Sequence, residues 1–324
     1  MRLLVTGGAG FIGSNFVRYW LANHPEDSVV NLDALTYAGN PANLEGIDAT
    51  RHTFIKGDIC DPQTVHEAME GVDVVVHFAA ESHVDRSIEG SAIFIKTNVL
   101  GTHTLLDEAL RRGDQIKRFH HVSTDEVFGA LPLNEGEPFH EGTRYAPRSP
   151  YSASKAASDH LAHAYFTTHG LPVTVSNCSN NYGPYHYPEK FIPLMIVNAM
   201  RDILLPIYGD GLYVRDWIHV DDHCRGIEAI LLKGRPGEKY CLGGYSEEAN
   251  ITVAKQILSL LGKPESLLKT VEDRKGHDRR YSINDAKAKA ELAWEPTVPF
   301  NEGLAQTVAW FQANEAWWRP LLTR

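Results

Sequence analysis

Tyr151 and Lys155 stand four residues apart in Tyr151-Ser152-Ala153-Ser154-Lys155, a spacing that puts a phenol and an ammonium on one face of a helix. A cation there stabilises phenolate and draws the phenol down from about 10 towards working pH, as a general base for an alcohol requires. Such a pair on its own is more often a surface coincidence. A second feature changes that: Gly7-Gly8-Ala9-Gly10-Phe11-Ile12-Gly13 follows a β-branched run and opens an amphipathic stretch. Gly7, Gly10 and Gly13 suit a tight turn, close approach to a pyrophosphate and close helix packing, with the helix N-terminus facing the phosphates. Asp33 lies 20 residues beyond Gly13, where a carboxylate accepts hydrogen bonds from an adenosine ribose and repels a 2′-phosphate. NAD is therefore favoured over NADP.

Asp125 and Glu126 are the unusual residues, in Ser123-Thr124-Asp125-Glu126-Val127-Phe128-Gly129. Adjacent carboxylates at the end of a buried strand carry a desolvation and repulsion cost unless each is used. A solvated loop start is the alternative. Two carboxyl groups in different environments act as separate acid and base, and removal of water next to a carbonyl needs both.

These residues need a scaffold, and the first half supplies a rhythm. Strand-like runs at 3–6, 29–32, 52–55, 72–78 and 119–123 alternate with helical stretches such as 92–112, followed by 151–169 and a further run at 173–176. That is the βαβ pattern of a doubly wound parallel sheet, a Rossmann fold, covered on both faces. Asp58 and Ile59, past the third run, and Phe78, Ala79 and Ala80, at the end of the fourth, fall on the carboxyl edge where a dinucleotide lies; the two alanines could equally be small packing residues. After 178 the rhythm breaks and Gly and Pro become frequent, so a smaller C-terminal α/β substrate-binding lobe is expected over 179–324, with return segments completing the first domain of 1–178. Helices are expected at 191–201, 221–232, 252–261, 285–292 and 301–314. Four aromatic residues in the nine positions from Trp310 to Trp318 either dock on the body or offer a partner surface.

At 324 residues and 43% hydrophobic, the chain can bury a sizeable core. There is no run of about 18 apolar residues, and Met1-Arg2 leads directly into Leu3-Leu4-Val5 without a signal-peptide pattern, so a cytoplasmic protein without a membrane segment is the expectation. A net charge of −10 opposes binding to nucleic acid. Four scattered cysteines form neither a zinc pattern nor a disulfide framework, and His120-His121, adjacent on an expected strand, point to opposite faces; no metal is expected. Cations for an anionic ligand must therefore be local. Arg215, between aromatics in Val214-Arg215-Asp216-Trp217, can fork onto a pyrophosphate. The run Asp273-Arg274-Lys275-Gly276-His277-Asp278-Arg279-Arg280-Tyr281 concentrates four more, although such runs are commonly solvated faces.

The glycine-rich Thr6–Gly13 segment followed by Tyr-x-x-x-Lys resembles the extended short-chain dehydrogenase/reductase superfamily, whose usual base is that tyrosine and in which a Ser or Thr after the fifth strand binds the reacting hydroxyl; Thr124 fits. With Asp33-Ala34-Leu35-Thr36-Tyr37-Ala38-Gly39-Asn40, Glu81-Ser82-His83-Val84-Asp85-Arg86-Ser87, the Ser179–Lys190 loop and the Trp317-Trp318 tail, the chain is similar along its length to the dTDP-glucose 4,6-dehydratases. Phe128 departs from the Tyr of many members, and 242–250 is less polar before Asn250 than in many. The resemblance implies that Phe11, Ile12, Ala34, Leu35, Thr36, Thr97 and Asn181 join the NAD site. It implies that Ser82, Asn180, Lys190, Phe191, Pro206, Ile207, Tyr208, Arg215, Asn250, Arg274 and His277 meet a nucleotide-sugar substrate. It also implies a homodimer through 92–112 and 151–169. The implied chemistry is oxidation at C4 by NAD with Tyr151, Lys155 and Thr124, then loss of water across C5 and C6 by Glu126 as base and Asp125 as acid, then reduction at C6. A UDP-sugar 4,6-dehydratase or a 4-epimerase on the same fold is the alternative, with a non-catalytic NAD-binding regulator as a more distant one; an epimerase has no use for a C5 base, and a regulator has no need of an aligned Tyr151, Lys155 and acidic pair.

Overall fold

The computed structural model describes residues 1–273 and 276–323; Arg274 lies outside them. Twelve strands follow in order: β1 (Arg2–Thr6), β2 (Ser28–Asp33), β3 (His52–Lys56), β4 (Val74–His77), β5 (Arg118–Thr124), β6 (Val173–Cys178), β7 (Asn180–Tyr182), β8 (Leu205–Tyr208), β9 (Val214–His219), β10 (Lys239–Leu242), β11 (Glu247–Ala249) and β12 (Leu268–Val271). Seven form a sheet in the order β10-β6-β5-β4-β1-β2-β3, parallel throughout. Strand order reverses between β1 and β4, so the crevice at their carboxyl ends is the place for a ligand. The parallel α/β sheet expected from the sequence is present.

The alternation of side chains along each strand divides the core. Leu4, Val30, Leu32, Val75 and Phe119 meet Leu105, Leu106, Ala109 and Ala162 on one face. Leu3, Val5, Val29 and Val76 meet Phe16, Trp20, Val220, Cys224 and Ile227 on the other. The second half of the chain thus returns twice to this sheet, as β10 beside β6 and as the helix Val220–Lys233 on its far face. A separate core gathers Ile192, Met195, Ile196, Trp217, Val253, Ile257 and Leu304 around the three-stranded β11-β9-β7 sheet and the β12-β8 pair. The aromatic tail docks here: Trp318 is buried with Phe311, and the Trp317 indole N–H donates to Asn43 Oδ1 at 2.8 Å.

Two helices bear on the site. Pro150–His169 begins at Ser149, which shares a reciprocal capping box with Ser152 and is followed by Pro150 at the first turn; Gly170, left-handed at φ 73°, ends it. That start fixes the face carrying Tyr151 and Lys155. The expected single helix over 92–112 is instead a turn at Ala92–Phe94, a wider π-helical segment Ile95–Gly101 and a regular helix Thr102–Arg112, and segments of this kind often accompany functional sites. Here Asn98 is buried, bonding both backbone groups of Glu81 and the Ser154 hydroxyl, while Thr97 lines the crevice.

Candidate active site

Gly7 takes φ 72°, and a Cβ on it would stand 2.7 Å from the Ala79 amide nitrogen. A Cβ on Gly13 would stand 2.3 Å from the Gly7 carbonyl oxygen. Both contacts are shorter than atoms tolerate, so only glycine lets the loop turn under Ala79 and present the N-terminus of the helix Phe11–Asn23 to the crevice. Asp33 is buried at the end of β2; its carboxylate accepts from the Ala9 N–H at 2.9 Å and the Leu35 N–H at 2.8 Å. Burial pushes this carboxyl up against the pull of those two bonds. The cradle and the acidic group at its far end fit a dinucleotide with an unphosphorylated ribose.

The cavity along this edge, about 400 Å³, is lined by Gly7, Gly10, Phe11, Ile12, Gly13, Asp33, Ala34, Thr36, Asp58, Ile59, Phe78, Ala79, Ala80, Thr97 and Asn181, and by Thr124, Asp125, Glu126, Tyr151 and Lys155. Leu35 does not line it. At φ 52° its backbone turns so that its N–H donates to Asp33.

Asp33→Ala is expected to weaken NAD roughly tenfold or more, the scale of losing a hydrogen bond to a charged group. Equilibrium dialysis with NAD and NADP checks it; equal affinity of the unaltered protein for the two would contradict the role of Asp33.

At the catalytic end, Thr124 closes β5 and caps the short turn Asp125–Phe128, its hydroxyl accepting from the Glu126 N–H at 3.2 Å and donating to Asp125 Oδ1 at 3.2 Å. Asp125 is 1% exposed, and its Oδ2 is buried without a hydrogen-bond partner. Burial, then the charges of Glu126 and Asp216, push its carboxyl well above the usual range, the direction that suits a proton donor. Glu126 is half-buried one residue further on. The two carboxyls thus differ in environment, as separate acid and base roles require.

Tyr151 departs from expectation. Its phenol is pushed up by burial, then by Glu126 and Cys178, against a hydrogen bond shared with Thr124. Lys155 is not foremost among the groups acting on it; the ammonium donates to the Val122 carbonyl at 2.8 Å, and burial draws it to about 8. Spacing put both groups on one face but could not show what each would touch.

A second cavity, about 220 Å³, continues from the first, sharing Ser82, Glu126, Asn180, Lys190, Phe191 and Trp217. Arg215, Asn250, His277, Pro206 and Tyr208 line it, whereas Ile207 does not. Side chains alternate along β8, and Ile207 falls on the core side with Leu205. The Arg215 guanidinium lies over the Tyr281 ring at 4.4 Å, and the Lys190 ammonium donates to the Ser82 carbonyl at 2.7 Å. Oδ1 of Asn180 and Oδ1 of Asn250 are buried without partners, acceptors aimed at a ligand's donors. Sequence reasoning missed Tyr281, Trp217, Glu189 and His83 as lining residues. Only Tyr281 and Trp217 carried a signal, as aromatics near the cations of their own segments.

Residues 4–307 match the model of a family described as GDP-mannose 4,6 dehydratase. A dTDP-glucose 4,6-dehydratase of Escherichia coli is 48% identical, across 99% of this chain and 96% of its own. One from Xanthomonas campestris pv. campestris is 53% identical, across 98% and 95%. The crystal structure of a dTDP-glucose 4,6-dehydratase from Streptomyces venezuelae with NAD bound superposes with a TM-score of 0.95 at 51% identity, covering 99% of this chain and 100% of that one. A UDP-glucose 4-epimerase from Thermotoga maritima superposes at 0.90 with 30% identity, covering 97% and 100%.

Proposed function

The chain belongs to the GDP-mannose 4,6 dehydratase family, and from that membership we propose that it is an NAD-dependent dTDP-glucose 4,6-dehydratase, a hydro-lyase forming the 4-keto-6-deoxy sugar nucleotide. The observation that carries this reading is the Asp125–Glu126 pair beside Tyr151, one carboxyl buried and raised, the other at the junction of the two cavities. A 4-epimerase shares the fold but needs no such pair.

Tyr151 takes the proton of the C4 hydroxyl, which Thr124 holds, and Lys155 keeps a positive charge beneath them. NAD, when bound, would supply the hydride chemistry at C4 and C6, and its positive ring would favour the phenolate. The C4 ketone acidifies the C5 hydrogen. Glu126 removes that proton, and Asp125 protonates the departing C6 hydroxyl, so that water leaves. Glu126 then returns a proton to C5. Asp33 and the glycine loop would hold the dinucleotide, and Phe78, Ala79, Ala80 and Thr97 would line its site. Arg215, Lys190, Asn180, Asn250 and His277 hold the nucleotide and its phosphates. Kinetic comparison of dTDP-glucose, UDP-glucose and UDP-N-acetylglucosamine, with identification of the product, tests the assignment; a C4-inverted alcohol as product would replace it with epimerisation.

Arg215→Ala is expected to raise KM roughly ten- to hundredfold with a smaller change in kcat, since a charge-assisted hydrogen bond contributes about 1.5–3 kcal/mol. Steady-state kinetics with dTDP-glucose checks it, and an unchanged KM would place Arg215 outside the site.

The chain divides into a dinucleotide domain of 1–178, completed by β10 and the helix Val220–Lys233, and a substrate domain drawn from 179–324. It forms a homodimer through the 92–112 and 151–169 faces, where Ile93, Ile95 and Leu100 are exposed at 46%, 52% and 50%, an apolar group that pairing would cover. It works in the cytoplasm; no described helix is long and apolar enough to cross a membrane.

A further inference from the structure

Asp159 lies one helical turn beyond Lys155, is 3% exposed and has no place in the proton transfers above. Its Oδ2 accepts from the Ser123 hydroxyl at 2.9 Å, the Tyr145 hydroxyl at 2.8 Å and the Asn177 side-chain amide at 3.3 Å. Its Oδ1 stands 3.1 Å from His121 Nε2. These partners come from β5, from the segment ahead of the catalytic helix and from β6. The Asn177 amide also donates to the Thr124 carbonyl at 3.0 Å. One buried carboxylate therefore ties the strand end carrying Thr124, Asp125 and Glu126 to the helix carrying Tyr151 and Lys155. An ionised carboxylate so deep in the protein is tolerated only with partners of this kind.

We propose that Asp159 is a positioning residue of the reaction, which clamps the catalytic helix to the end of β5 and keeps Lys155 charged during turnover. This deepens the dehydratase reading and rests on it. Burial draws Lys155 down to about 8, and Asp159 is the foremost group holding it up. Burial alone would raise Asp159 itself, but His121, Lys155 and Ser123 outweigh it and hold the carboxyl below its usual range. The other groups facing the pair are His77 on β4, whose ring centre is 5.2 Å from that of His121, His121 on β5, Cys178 on β6 and Tyr145 with His160 and Lys239 beside its ring. Burial lowers His121 to about 4 and His77 well below the usual range, and it pushes Cys178 up to about 12. His77, His121 and Cys178 thus keep one charge state between pH 6 and 9, where Lys155 changes.

An ammonium whose stabilising anion is removed loses its proton at lower pH, so the alkaline limb of the oxidation rate moves towards acid. The test is single-turnover reduction of bound NAD by dTDP-glucose across pH, read as NADH absorbance, in the unaltered enzyme, Asp159→Asn and Asp159→Glu. In Asp159→Asn the rate falls roughly tenfold or more, KM stays within about twofold, and the alkaline limb moves down by about one unit or more. Asp159→Glu retains the charge and returns the limb close to its original position, with a slower rate. A limb unmoved in Asp159→Asn, with loss of thermal stability alone, overturns the proposal. If Asp159→Asn does not fold, Asp159→Glu decides: a slowed rate with the limb in place supports the proposal, and a limb displaced by a unit overturns it. An unaltered enzyme that reduces NAD yet releases no 4-keto-6-deoxy product defeats the dehydratase reading, while the limb comparison still stands.

Discussion

Glu126→Gln leaves bound NAD reducible by dTDP-glucose but slows exchange of the C5 hydrogen with deuterated water by roughly 10²- to 10⁴-fold, the range for loss of a general base. Oxidation survives because Tyr151, Thr124 and Lys155 are intact; elimination stops because nothing removes the C5 proton. Asp125→Asn gives the complementary result. Burial and the neighbouring carboxylates hold the Asp125 carboxyl far above its ordinary range, so the residue is an acid, and its amide replacement cannot donate. C5 exchange then persists while departure of the C6 hydroxyl slows by a comparable factor. Mass spectrometry of the substrate and product pools separates the two steps. Equal loss of C5 exchange in both variants would show that the carboxylates do not divide the work in this way.

Tyr151→Phe stops both steps, with kcat down roughly 10²- to 10⁴-fold and KM little changed. Without the phenol no C4 ketone forms, and without the ketone the C5 hydrogen is not acidic, so exchange falls with oxidation. In the unaltered enzyme, deuterium placed at C4 of the sugar appears at C6 of the product, undiluted by unlabelled NADH in the medium. C5 exchange at the normal rate in Tyr151→Phe would place the acidifying step elsewhere. Washout of the C4 label would mean that the cofactor leaves during turnover.

The dinucleotide half was legible because its signals are local. Gly7, Gly10 and Gly13 answer to backbone geometry within one turn, Asp33 to the end of the next strand, and Tyr151 and Lys155 to a helical period with its own cap at Ser149. The strand rhythm likewise required a parallel sheet before any contact was known. Side-chain direction beyond those periods was not legible. Leu35 does not line the cavity, its left-handed backbone letting its N–H reach Asp33, and Ile207 turns inward because of the register of a short strand paired with β12.

What only the tertiary structure decided is the electrostatic state of the site. The sequence places Asp125 and Glu126 side by side, but the burial that raises Asp125 is tertiary, and the charges of Asp216 and Arg215 on β9, far along the chain, act on it in opposite directions. The same holds for Tyr151, whose phenol answers first to burial and then to Glu126 and Cys178, ahead of the lysine four residues away, and for Asp159, whose donors come from three separate segments. Neighbours in sequence set dihedral angles and the face on which a side chain lies. Desolvation and charge pairing depend on the atoms around a group in space, and the chain brings those together only when it folds.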